Sequence, residues 1–65
     1  MSNTVVWLIL NTWLGFTPTM TQEIEIKDFA TCDAMMMRID AAWKVEQAKD
    51  PRFRYVLTCR KERLQ

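Results

Sequence analysis

Residues Val5 to Leu14, VVWLILNTWL, are apolar at almost every position, and in a chain of 65 residues no other feature constrains the fold as much. The run is shorter than the roughly 20 residues a membrane-crossing helix requires. Its β-branched and aromatic content is that of a strand, and apolar side chains at successive positions mean that both of its faces want cover. One helix lying on a small sheet covers one face. The other face therefore calls for a second partner, which the run itself does not identify.

A chain of this length is one domain, and so small a domain buries a modest share of the surface its unfolded form exposes. Its stability is marginal unless something staples or extends it, and oligomerisation is one such extension. Hydrophobic residues make up 49% and charged residues 26%, with one Gly and two Pro, which is too apolar for a disordered tail. The formal net charge of +1 draws the protein neither to nucleic acid nor to an anionic membrane. No Lys or Arg precedes the apolar run and no small-residue cleavage pattern follows it, so a cytoplasmic protein without a cleaved signal is expected.

After the first strand, Gly15, Pro18 and the Thr residues around it read as the loop of a hairpin. Gln22, Ile24 and Ile26 then alternate with Glu23, Glu25 and Lys27, the period of a strand with one covered and one wet face. Asp28 is placed to cap a helix, with Thr31 as the other candidate, and Asp50-Pro51 ends it because the residue before a proline resists helical geometry. The expected helix runs from about Phe29 to Lys49. Cys32, Met36, Ile39 and Trp43 share one side of it, with Met35 and Ala42 at the margin, and this stripe should cover the sheet. Ala34, Met37, Ala41, Val45 and Ala48 form a second stripe, which is either a contact face or Ala used for its helix propensity. A last strand, Phe53 to Arg60, alternates Phe53, Tyr55, Leu57 and Cys59 against Arg54, Val56, Thr58 and Arg60.

The element order is β, β, α, β. A right-handed crossover from the second strand through the helix makes the third parallel to the second, and the simplest sheet places the first between them, antiparallel to both. The expected fold is thus α+β, ββαβ, with a three-stranded antiparallel/mixed sheet of order β2-β1-β3 and one helix on one face. This layout brings Cys59 near Cys32 on the core side, with Cα atoms within about 7 Å if a bridge is to be feasible. An oxidising compartment would pair them, whereas a reducing cytosol would keep them as packed thiols. Two Cys without His cannot make the usual four-ligand zinc site.

If Val6, Leu8 and Leu10 pack under the helix, then Trp7, Ile9, Asn11 and Trp13 face outward between Glu23 and Glu25 on one side and Arg54 and Arg60 on the other. Large aromatics beside Arg and Asn are typical of binding surfaces, so Trp7, Asn11, Trp13, Arg54 and Arg60 are the candidate ligand- or partner-binding residues. The face is open to two readings: a homo-oligomer interface in which tryptophans bury one another, or a cradle in which rings and guanidinium groups hold a nucleotide.

Catalysis has little support. His is absent, and a single Gly excludes a glycine-rich phosphate loop. Glu23 and Glu25 on one strand face read as a charged edge, and Cys32 at a helix start has no base to complete a nucleophilic site. Neither a cofactor nor a metal is expected. Arg52, Arg54, Arg60, Lys61 and Arg63, interleaved with Phe53 and Tyr55, could hold single-stranded nucleic acid, but the near-neutral charge and the carboxylates favour a solvated basic terminus.

The opening strand VVWLIL, the strand EIEIKDF running into FATCDAM, and the closing YVLTC, in which a helix-start Cys is matched by one on the last strand, resemble the small orphan proteins of tailed bacteriophages and prophages. The resemblance covers most of the chain through loose motifs and assigns no residue roles. Some proteins of this class are anti-defence factors. The resemblance implies a factor that blocks host immunity by binding a defence protein or by sequestering its nucleotide signal. Together with the uncovered strand face, the expectation is a homo-oligomeric protein acting by stoichiometric binding to a host defence protein in the cytoplasm of the infected bacterium. Sequestration of a nucleotide immune signal, or a structural accessory role, are the alternatives.

Overall fold

The computed structural model describes residues 3–64, and the side-chain surroundings of residues 5–62. Along the chain stand β1 (Asn3–Leu14), β2 (Thr17–Ile26), α1 (Phe29–Lys49) and β3 (Phe53–Leu64). The strands form one sheet of order β2-β1-β3, with β1 antiparallel to both neighbours. The most apolar strand is thus the central one, flanked by ladders on both edges, as the α+β reading expects.

Gly15 makes the β1–β2 turn possible: its φ of 65° lies in the left-handed region that favours glycine. Its N–H donates to the Arg52 carbonyl at 2.7 Å, tying the hairpin tip to the approach of β3. The strand begins at Thr17, earlier than the loop expected around Pro18 and its Thr neighbours. A register shift between Thr12 and Trp13 accommodates this, since Thr12 pairs with Met20 and Trp13 with Pro18, leaving Thr19 without a partner. The Thr19 and Thr12 hydroxyls share a hydrogen bond of 2.7 Å, which satisfies the buried Thr12. β2 is an edge strand, where a proline without an N–H is tolerated.

Asp28 caps α1, its side chain accepting from the Thr31 N–H at 2.7 Å, which holds its carboxyl below the usual carboxylate range. At the other end the chain turns through Asp50, whose carboxylate accepts from the Arg52 N–H at 3.0 Å. Both helix bounds are those the sequence predicts. β3 runs four residues further than the expected Arg60, following β1 until Asn3 pairs with Leu64.

Val6, Leu8, Leu10, Ile26 and Cys32 are the buried core, with Met20, Ile24, Met35, Met36, Ile39, Trp43, Leu57 and Cys59 packed around it. The expected stripe of α1 is therefore the one that covers the sheet. Ala34, Met37, Ala41, Val45 and Ala48 are exposed. At the far end, Trp43 meets Phe53 and Tyr55 edge-on, with centroids 5.9 and 5.6 Å apart. The Tyr55 hydroxyl donates to the Asp40 carboxylate at 2.7 Å, closing the seam between α1 and β3.

Cys32 and Cys59 lie on the core side with Cα atoms 6.1 Å apart, and they are joined as a disulfide. The proximity follows from the topology. The bond is the paired one of the two states that the sequence leaves open.

Candidate functional site on the open face of the sheet

Period-two alternation in β1 sends Val6, Leu8, Leu10 and Thr12 under the helix and Val5, Trp7, Ile9, Asn11 and Trp13 to the opposite face. The second set is half-buried, shielded only by neighbours on its own sheet surface. Register then fixes what flanks each residue. Trp7 lies between Glu25 and Arg60, Ile9 between Glu23 and Thr58, Asn11 between Thr21 and Val56, and Trp13 between Pro18 and Arg54. All five candidate residues, Trp7, Asn11, Trp13, Arg54 and Arg60, therefore share one face, as the alternation predicts.

The two ends of this face differ. At the hairpin end, Trp13, Phe16, Arg54, Tyr55 and Val56 line an open cleft of about 330 Å³. Phe16, 94% exposed at the tip of the turn, is the residue that sequence reasoning missed. It was absorbed into the hairpin loop, although an aromatic directly after a turn glycine is a signal that could have drawn notice. At the other end, Arg60 pairs with Glu62 on its own strand at 3.6 Å, and Glu25 lies beside Val5 and Lys27 in a shallow depression. Each charged group here is largely solvated, so these intrachain pairs contribute little to stability.

The structure separates the elements of the basic C-terminal cluster. Phe53 and Tyr55 turn under α1, whereas Arg54 and Arg60 turn to the open face, so these aromatics and arginines form no common stacking platform. Arg52 is held by Asp50 at 3.3 Å, and the Lys61 ammonium lies 5.9 Å from the Phe29 ring centroid. The Arg63 side chain lies outside the described residues. Among the described residues no cluster of three His, Cys, Asp or Glu is placed to hold a metal, and no helix is long and apolar enough to cross a membrane.

The face is suited to contact: aromatic area in the middle, guanidinium donors on one side and carboxylate acceptors on the other. Comparison with protein-family models, with curated proteins and with solved structures finds no significant match.

Proposed function

We propose that the protein acts by stoichiometric binding through the open face of its sheet. In this reading it is a homo-oligomeric phage anti-defence factor that engages a host immune protein in the cytoplasm of the infected bacterium. The observation that supports binding is the placement of Trp13, Phe16 and Arg54 together at the hairpin end of a face that α1 does not cover. An aromatic ring held almost fully in water beside a guanidinium gains most when a partner desolvates both. The phage setting is carried by the sequence resemblance alone.

The test is recovery of the tagged protein from host lysate, compared with Phe16→Ala and Arg54→Ala. Neither substitution removes a core contact, so circular dichroism should be unchanged. A host protein should be retained in stoichiometric amount, and each variant should weaken its association by roughly 30-fold if these are hot-spot residues. Retention undiminished by both substitutions would remove the assignment of this surface.

A second reading, capture of a nucleotide signal, is favoured by the cleft itself, whose rings and Arg54 could stack on a base and pair with a phosphate. Under that reading the denatured protein releases a small molecule detectable by mass spectrometry, and Arg54→Ala comes away empty.

A further inference from the structure

The charges that border the open face are arranged level by level. Beside Trp7, Glu25 stands on the β2 side and Arg60 on the β3 side. One level on, beside Val5, Lys27 lies just past the end of β2 and Glu62 is its counterpart on β3. At both levels the two borders carry opposite signs, and the sign order inverts between the levels. Between the borders runs the apolar row Val5, Trp7 and Ile9.

Such a pattern is self-complementary under one particular operation. A two-fold axis lying between two facing sheets and running along β1 carries the β2 border of one copy over the β3 border of the other, at the same level. Glu25 then meets Arg60 of the second copy, Lys27 meets Glu62, and each contact occurs twice. Trp7 and Ile9 lie on the axis and pack against their own equivalents. A two-fold axis in the same plane but across the strands would instead set β2 on β2 and bring Glu23 and Glu25 against themselves, which like-charge repulsion disfavours.

We propose that the occupant of the middle of this face is a second copy of the chain, docked face to face about an axis along β1. The product is a six-stranded sandwich with a helix on each outer side, its sheets about 10 Å apart and crossing at about 30°, the aligned packing of sheet on sheet. Clear of the hairpin-end cleft, three strands at about 4.8 Å spacing and eight residues at about 3.4 Å present roughly 400 Å² in plan. The pair thus removes at least roughly 800 Å² from water, the size of a weak, reversible interface. Because the axis runs along the strands, both hairpin ends emerge at the same end of the dimer. There they set two Trp13–Phe16–Arg54 clefts side by side, a bivalent surface for whatever the protein binds.

This inference rests on the reading of the open face as a binding surface, and charge reversal tests it separately from host-protein capture. The wild-type protein should sediment as a dimer at micromolar concentration. Glu25→Arg and Arg60→Glu should each raise the dimer dissociation constant by about tenfold or more, since each sets two like-charged pairs in the interface. The double variant E25R/R60E restores opposite charges at both contacts and should recover dimerisation to near the wild-type value. Trp7→Glu should give a folded monomer by circular dichroism and sedimentation. A wild-type monomer, or a dimer indifferent to both single reversals, or a double variant no better than the singles, would overturn the arrangement. A monomer that still captures a host protein through Phe16 and Arg54 would overturn the dimer and leave the binding function standing. A dimer with the reversal pattern but no captured protein or ligand would do the opposite.

Discussion

Asp40 and Tyr55 meet where α1 lies over β3, and each moves the other's titration. The hydroxyl donated by Tyr55, ahead of the contact with Lys44, holds the Asp40 carboxyl below its usual value, while the Asp40 bond, ahead of desolvation, pushes the Tyr55 hydroxyl up. The signs bound a pH window. A depressed carboxylate stabilises the fold above its unfolded value and loses that contribution as pH falls through the folded one. A raised tyrosine stabilises below about 10 and loses its contribution as pH rises through its folded value. Both side chains are half-buried and in reach of water, which screens the interaction and keeps the effect on stability small. Tyr55→Phe should therefore move the Asp40 titration upward, only part of the way because Lys44 remains at 3.1 Å, as followed by carboxyl carbon NMR. An Asp40 titration unmoved by the substitution would show that the hydroxyl is not its partner. Residue placement of this kind was partly legible. Alternation assigned Trp7, Asn11, Trp13, Arg54 and Arg60 to one face, because period two is a property of extended backbone itself. Phe16 was missed because its cleft exists only where the turn meets β3.

Among elements, the Cys32–Cys59 bond joins the first turn of α1 to β3 across a sequence separation of 27 residues. A loop of that length restrains the unfolded chain by about 3.5 kcal/mol in the chain-entropy view, a large share of what so small a domain retains. Reduction, or Cys32→Ser with Cys59→Ser, should lower unfolding stability by about that amount in a urea titration. Loss of only a few tenths would show that the residues are held together by packing instead. In a reducing cytosol the same pair would persist as adjacent thiols, and there the domain would need its partner more. That the cysteines meet follows from connectivity, since a right-handed crossover returns β3 beside the helix start. Whether they bond does not, because the redox state is a property of the compartment and not of the chain. The helix bounds were legible from Asp28 and Asp50-Pro51, which act locally. The start of β2 was not, since Pro18 reads as a breaker unless the register shift at Thr12 and Trp13 is known. The extension of β3 past Arg60 was equally hidden, for its charged residues form a strand only because β1 continues beside them.

At the scale of the whole molecule, the proposed dimer would link folding to association, because α1 covers one face of the sheet and the second copy would cover the other. Anything that binds the folded state stabilises it by mass action, so a self-associating domain melts at a temperature that depends on its own concentration. Calorimetry over a hundredfold range of protein concentration should show the midpoint rising for the wild type and constant for Trp7→Glu. A wild-type midpoint independent of concentration would argue against association coupled to folding.

Strand order has a further consequence, one for the newly made chain. β1 is synthesised first, and its ladder with β3 joins residues far apart in sequence, from Leu14 with Phe53 out to Asn3 with Leu64 at the two ends of the described chain. Hairpin formation with β2 is local and fast, whereas closing the second ladder must overcome the entropy of the intervening loop, which places this topology among the slower folders of its size. Until β3 arrives, the most apolar strand of the protein exposes one unpaired edge, the form of surface on which chains aggregate.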